Sequence, residues 1–191
     1  AAYAGMFYES QAEPLKNQIK ECFTHKLGPG SIPKTAQGKL KNIVGLVCPH
    51  AGYMYSGPVA AHSYHYLALD GTPDTVVIFG PNHTGAGSGL AIMREGAWHT
   101  PLGEVTIDST VADPIVKQSG IIDVDYTAHM REHSIEVQLP FLQRVQPGKK
   151  FVPIIVAEPT LSNCESLATA LASTLKDKKA LVVASSDLSH Y

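Results

Sequence analysis

The sequence lacks several features that would place a protein in a specialised class. It has no apolar run of the roughly 18 residues that a membrane-spanning helix needs. Its first ten residues lack the charged-then-apolar pattern of a signal peptide. Lysine and arginine, 15 in total, do not outnumber the 17 aspartate and glutamate residues, so no positive stripe is available to displace counterions from nucleic acid. These absences predict a cytoplasmic protein that binds neither membranes nor nucleic acid.

Cysteine is also scarce. The 3 residues Cys22, Cys48 and Cys164 are odd in number and widely spaced, which is typical of reduced thiols and not of a disulfide framework. Only 17% of the residues are charged and 44% are apolar, a composition typical of globular proteins. A chain of 191 residues should bury about 70% of the surface that it exposes when unfolded. We therefore expect a single domain over residues 1–191.

Common catalytic signatures are missing as well. The chain contains no HExxH, CxxC, P-loop, GxGxxG or GxSxG pattern. Thermolysin-like proteases, zinc ribbons, nucleoside triphosphatases, dinucleotide-binding enzymes and serine hydrolases would each carry one of these motifs. Each of these protein classes therefore lacks its signature in this sequence.

Short apolar runs rich in valine and isoleucine predict strands that are buried on both faces. They occupy residues 43–47, 75–79, 151–156 and 180–184. Apolar residues at helical spacing lie between these runs and predict helices around residues 15–23, 59–69, 135–142 and 161–175. The alternation predicts an α/β three-layer sandwich with a mainly parallel central sheet.

Two local features refine this prediction. Ser162 and Glu165, three residues apart, fit a capping box at the start of the fourth helix, because each side chain can satisfy a free backbone amide. Residues 90–107 contain Gly96, Pro101 and Gly103 and are more typical of a hairpin than of a helix.

Histidine is abundant, with 9 residues, and three of these follow predicted strands. His50, His83 and His190 come after the first, second and fourth strands, in turns that also contain glycine, proline or serine. Ligands bind beyond the carboxyl ends of parallel strands. A single histidine there is more often structural, but three after neighbouring strands indicate a site that binds a metal or moves a proton.

A fourth histidine adds to this pattern. His133 and Glu136 are three residues apart at the start of the predicted third helix, so they would share a helix face. There the carboxylate could orient the imidazole, or both could contact a ligand, which makes them candidate catalytic residues. The alternative is a solvated first turn, which acidic residues suit in any case.

The residue types leave the metal open. Two neutral imidazoles with one anionic ligand occur in zinc hydrolases and in non-haem iron enzymes alike. Cys48 lies two residues before His50, so in a strand the two side chains would project to the same face. Its thiol is then either a ligand or a small buried group that fills core space at the strand end.

Several ordered segments resemble the Memo family. They are PHAGYMYSG at 49–57, GPNHTG at 80–85, TPLGEV at 100–105, EHSIEVQLPFL at 132–142 and SSDLSHY at 185–191. The opening AGMFYES at 4–10 is also similar to that family's start, so the resemblance covers essentially the whole chain. It implies a fold similar to that of the class III extradiol ring-cleaving dioxygenases, which hold a non-haem iron with two histidines and a carboxylate.

The resemblance also implies roles for individual residues. His50 and His83 match the two histidine metal ligands of Memo proteins. Asp187 and His190 match the SSD-x-x-H motif, whose histidine falls where the dioxygenases place their acid/base residue. The family's cysteine ligand comes from a later segment, so we expect a domain that is truncated at the C-terminus relative to the family. Its open sheet edge would favour a homo-oligomer.

Three functions stand as hypotheses. The first is an oxidoreductase of extradiol dioxygenase type that uses Fe(II), with Zn(II) or copper as alternative metals, and acts on a small aromatic molecule. In it His190 would be the acid/base, and Asp187 or Glu136 would fix its tautomer. The second is a non-catalytic scaffold whose cleft binds a metal or a peptide. The third is a zinc-dependent hydrolase, in which metal-bound water attacks the substrate.

Overall fold

The computed structural model describes residues 1–189. Five helices are formed by α1 (Ala12–Thr24), α2 (Tyr53–Asp70), α3 (Ser109–Ser119), α4 (Leu139–Val145) and α5 (Leu161–Leu175). The strands are β1 (Gly45–Cys48), β2 (Thr75–Pro81), β3 (Leu90–Ile92), β4 (Ala97–Thr100), β5 (Gly103–Thr106), β6 (Asp123–Val124), β7 (Phe151–Val156) and β8 (Ala180–Ser185). Short 3-10 turns cover Thr127–His129 and Glu136–Gln138. Within residues 1–189, no helix is both long enough and apolar enough to cross a bilayer.

Six strands form one mainly parallel sheet in the order β1, β8, β2, β7, β3, β6. All neighbouring pairs are parallel except β3 and β7, which run antiparallel. Strands β4 and β5 form a separate antiparallel hairpin within the segment predicted to be one. The predicted α/β architecture with a mainly parallel central sheet is confirmed.

The core lies in two layers, one on each face of the sheet. Alternate residues of β2 point to opposite faces, as the two-residue period of a strand requires. Val76 and Ile78 pack in the layer that holds the buried residues of α1, α2 and α4, whereas Val77 packs with those of α3 and α5. Burial on both faces explains why the central strands read as nearly continuous apolar runs.

The predicted capping box at the start of α5 is wrong. Thr160, not Ser162, is the N-cap: its backbone is extended, and its hydroxyl accepts a hydrogen bond from the backbone N–H of Asn163 at 3.2 Å. Ser162 and Glu165 both lie inside the helix. A residue whose own backbone is helical cannot serve as the N-cap.

The prediction that His133 and Glu136 share a helix face is also wrong. Helix α4 begins only at Leu139, with Pro140 in its first turn, where the missing N–H of proline costs nothing. A 3-10 turn over Glu136–Gln138 directly precedes it, but residues 132–135 are not helical. There the Glu132 carboxylate accepts the backbone N–H of Ser134 at 2.8 Å. His133 therefore lies in an irregular segment, and its position is set by contacts from other parts of the chain.

Candidate metal centre

The sheet topology brings two of the predicted histidines together. His50 lies two residues beyond the end of β1, and His83 lies two residues beyond the end of β2. Strand β8 runs between these two strands and ends at Ser185. All three strands are parallel, so their carboxyl ends meet at one edge of the sheet.

His133 joins these two histidines to form a cluster of three imidazoles. One ring nitrogen of each residue lies within 4.8 Å of a ring nitrogen of the other two. The ring centroids of His50 and His83 are 5.1 Å apart, and the rings of His83 and His133 stack with centroids 4.5 Å apart. The predicted proximity of His50 and His83 is confirmed. His50 is buried and His83 is exposed, so the cluster opens to solvent on the His83 side.

His50 is held on both sides by polar groups. Its ring Nδ1 lies 3.0 Å from the hydroxyl of Ser185. Its backbone N–H donates to Asp187 Oδ1 at 2.6 Å, and its Nε2 lies 3.7 Å from Asp187 Oδ2. Asp187, predicted as a catalytic residue, is thus next to the cluster, in direct contact with His50.

His83 is oriented by a carboxylate that the sequence reasoning missed. The Glu132 carboxylate accepts two hydrogen bonds from His83, one from the ring Nδ1 at 2.9 Å and one from the backbone N–H at 2.6 Å. The same carboxylate oxygen that binds His83 Nδ1 lies 3.5 Å from Nδ1 of His133. Carboxylates commonly orient metal-binding imidazoles in this way. The available signal was position, because Glu132 directly precedes His133 in the chain.

The charge states suit metal binding. Burial lowers the pKa of His50, and the neighbouring imidazoles lower it further, against the opposing effect of Asp187. Burial also lowers the pKa of His133. For Glu132, burial favours the neutral acid, but the hydrogen bonds from His83 and Ser134 outweigh it and hold the pKa below the usual value. The lowered pKa values of His50 and His133 favour neutral imidazoles beside the ionised carboxylate of Glu132.

Glu136 contacts the N-terminal segment. Its carboxylate accepts the backbone N–H groups of Ala2 at 2.8 Å and Tyr3 at 2.9 Å, and the hydroxyl of Tyr8 at 2.6 Å. Burial and the adjacent carboxylate raise the pKa of Tyr8, so this hydroxyl keeps its proton. These contacts make Glu136 an anchor for the start of the chain.

The anchored segment covers one side of the cluster. The ring centroids of Phe7 and Tyr3 lie 4.5 Å and 5.3 Å from that of His133. The backbone carbonyl of Phe7 also accepts the N–H of Tyr53 at 2.7 Å, which ties the segment to the start of α2. Two aromatic rings therefore shield His133 from solvent.

The sequence also predicted His190 and Cys48 as candidate residues of the site. His190, predicted as the acid/base, lies outside the residues that the structure describes. Cys48 is fully buried at the end of β1, and burial raises the pKa of its thiol to about 11. These properties favour the interpretation of Cys48 as a core thiol.

A cavity of about 310 Å³ lies beside the contact between Glu136 and the N-terminal segment. Glu136 and Ala2 line it, but none of the three clustered imidazoles does. The other side chains that give it a largely aromatic and thioether lining are Met93, Trp98, Tyr126, His129 and Met130.

Fold and site together define an α/β protein with a cluster of three histidines at the carboxyl edge of a parallel sheet. The model of the family described as Memo-like protein matches residues 1–191. The chain belongs to the Memo family. A MEMO1 family protein of Methanothermobacter thermautotrophicus is 50% identical over 192 residues, which cover 100% of this chain and 69% of the relative.

Two further relatives agree with this assignment. A MEMO1 family protein of Sulfurisphaera tokodaii is 51% identical over 195 residues, covering 100% of this chain and 69% of the relative. Another, of Methanopyrus kandleri, is 50% identical over 193 residues, covering 100% of this chain and 68% of the relative.

Proposed function

We propose that this protein binds a divalent metal ion through His50, His83 and His133. The observation that carries the proposal is the approach of one nitrogen from each ring to within 4.8 Å of the others. Two nitrogens about 2.0 to 2.1 Å from one ion lie at most about 4.2 Å apart, so the rings need to close only slightly around the ion. The donor chemistry fits, because burial keeps two of the rings neutral. Glu132 binds Nδ1 of His83 and leaves the other nitrogen of that ring available.

We propose further that the ion is Fe(II) and that the protein is an oxidoreductase of extradiol dioxygenase type. Bound iron would supply the redox chemistry with O2 that amino-acid side chains lack. The similarity of the Memo family to these dioxygenases supports this class. The exposed side of His83 gives a small molecule access to the cluster.

The side chains around the cluster have distinct parts in this proposal. Glu132 and Ser185 orient the rings of His83 and His50. Tyr3 and Phe7 exclude water from the side of the site where His133 lies. Asp187 Oδ2, at 3.7 Å from His50 Nε2, provides a carboxylate oxygen that can accept a proton beside the cluster.

A zinc-dependent hydrolase is the second candidate, and the ligand set favours it. Three imidazoles without a carboxylate form the protein ligands of one class of catalytic zinc site, in which the metal activates a bound water. The cluster of His50, His83 and His133 has this composition.

The two candidates are separated by loading the protein anaerobically with Fe(II) or Zn(II). Oxygen uptake is then measured with a panel of catechols, and hydrolysis with a panel of activated esters. We expect Fe(II)-dependent oxygen uptake that is lost in His83→Ala and retained in His25→Ala, a matched change at an exposed histidine after α1.

The other outcomes each contradict a part of the proposal. Ester hydrolysis by the zinc form alone would favour the hydrolase. Stoichiometric metal binding with neither activity would favour a non-catalytic scaffold and overturn the oxidoreductase. Failure of both metals to bind would overturn the metal site itself.

A further inference from the structure

The hydrogen bonds behind His50 determine where its ring carries a proton. Ser185 Oγ lies 2.6 Å from the backbone carbonyl of Ser134, 2.9 Å from Nε2 of Gln138 and 3.0 Å from Nδ1 of His50. A carbonyl oxygen only accepts hydrogen bonds, so the single hydroxyl proton of Ser185 must point to Ser134. The lone pairs of Ser185 then face Gln138 and His50, and both must be donors.

Gln138 is fixed in the orientation that this arrangement requires. Its Nε2 also donates to the backbone carbonyl of Pro49 at 2.9 Å, and its Oε1 accepts the hydroxyl of Tyr64 at 2.9 Å. Because the carbonyl of Pro49 cannot donate, the amide nitrogen has to lie on this side. Both amide protons are therefore used, and neither end of the side chain is left without a partner. Gln138 is 1% exposed and Ser185 is 4% exposed, so water does not compete.

Asp187 is the competing acceptor for the proton of the His50 ring, and it lies near the other ring nitrogen, Nε2. Asp187 Oδ2 lies 3.7 Å from Nε2, which is too long for a hydrogen bond, whereas Ser185 is within hydrogen-bond distance of Nδ1. A proton on Nε2 would leave Nδ1 without a proton and directed at a lone pair of Ser185. The buried contacts therefore favour the proton on Nδ1.

We propose that Ser185 and Gln138 are positioning residues that hold metal-free His50 as the Nδ1–H tautomer. The Nε2 lone pair is thereby reserved for a metal ion before the ion arrives. The tautomer is a property of the metal-free protein, and only its consequence for metal affinity rests on the proposed function. Without Ser185, the Nδ1 proton loses its hydrogen-bond acceptor. The negative charge of Asp187, 3.7 Å from Nε2, then favours the proton on Nε2, where it blocks the lone pair.

The tautomer is measured directly by NMR correlation of the ring nitrogens with the ring carbon-bound protons in uniformly ¹⁵N-labelled, metal-free protein. The spectrum is recorded at a pH where the His50 ring is neutral. We expect a protonated nitrogen at Nδ1 and a lone-pair nitrogen at Nε2. A protonated Nε2 would overturn the proposal, and this result does not depend on any variant.

Variants test the part played by Ser185. In Ser185→Ala we expect the proton to move wholly or partly to Nε2, and the affinity for Zn(II) to fall about 10- to 100-fold, as for loss of other groups that orient metal ligands. Ser186→Ala is the matched control, since the Ser186 hydroxyl accepts the backbone N–H of Leu188 instead. It should change neither quantity. An unchanged tautomer in Ser185→Ala would overturn the proposal.

Failure of this inference differs from failure of the proposed function. Wild-type protein that binds Zn(II) but carries its His50 proton on Nε2 would keep the metal site and overturn the positioning role. Protein with the Nδ1–H tautomer that binds no metal would keep the positioning role and overturn the metal site.

Discussion

Replacing Glu132 by glutamine tests how the buried carboxylate supports the site. One carboxylate oxygen accepts the backbone N–H of His83 at 2.6 Å, and the other accepts Nδ1–H of His83 at 2.9 Å and the backbone N–H of Ser134 at 2.8 Å. The side chain is 0% exposed, so no water can replace a lost acceptor. Glutamine has the same shape but only one acceptor oxygen.

The structure sets the size of the expected effect. In one of its two orientations, the amide nitrogen of the new side chain faces the backbone N–H of His83. Neither that N–H nor the N–H groups of the new amide then has an acceptor, which costs about 1 to 3 kcal/mol in total. The two remaining hydrogen bonds lose their charge assistance, at about 1 kcal/mol each. Burying a neutral amide costs less than burying a carboxylate and offsets part of this loss. We therefore expect the free energy of unfolding at pH 7 to fall by about 2 to 4 kcal/mol.

The effect should depend on pH in a defined direction. The pKa of Glu132 is lowered in the folded protein, because hydrogen bonds from His83 and Ser134 outweigh the opposing effect of burial. A carboxyl with a lowered folded pKa stabilises the fold above its unfolded pKa, and this stabilisation is lost as the pH falls through the folded value. The difference in stability between wild type and Glu132→Gln should thus be complete at pH 7 and shrink below about pH 4.

Urea unfolding followed by circular dichroism at pH 7 and at successively lower pH measures both quantities. Glu165→Gln, the same change on an exposed residue of α5, is the control and should alter stability by less than about 0.5 kcal/mol. If Glu132→Gln unfolds with the same midpoint and slope as wild type at pH 7, the buried hydrogen bonds do not support the fold as argued.

Three further changes test other parts of the structure. Thr160→Ala should lower the free energy of unfolding, measured in urea, by about 1 kcal/mol, because it removes the N-cap of α5. Ser162→Ala should have less effect, and the reverse order would contradict the assignment of Thr160 as the N-cap. Gly80→Ala should lower stability by about 1 to 3 kcal/mol, because its Cβ would lie 2.3 Å from Ser134 Oγ; an unchanged melting temperature would refute this close approach. Glu136→Gln should speed amide hydrogen exchange in the N-terminal segment, and unaltered exchange would refute the anchor.

Strands and their ends were the predictable part of the fold. The strand at residues 151–156 has the predicted bounds, because its β-branched apolar residues are buried on both faces. Helix α3 had no counterpart in the sequence prediction. It carries Pro114 inside its 11 residues, and proline normally argues against a helix. Burial of Val111 and Ile115 against the sheet layer stabilises it in spite of that preference.

The site was predictable only where strands position its residues. His50 follows β1 and His83 follows β2, and these parallel strands lie on either side of β8. The proximity of the two histidines therefore follows from the strand order of the sheet. His133 comes from an irregular segment, and its place depends on contacts with Phe7 and with Glu132 that no local pattern encodes. The position of His133 therefore depends on long-range side-chain contacts, which only the folded structure shows.

Anomalous scattering locates a bound metal most directly. Crystals grown with Zn(II) and measured on both sides of the zinc absorption edge would show where the ion lies. We predict one peak within about 2.0 to 2.1 Å of a ring nitrogen of each of His50, His83 and His133. A zinc peak bound by other residues, or by only one of these three, would contradict the proposed metal centre.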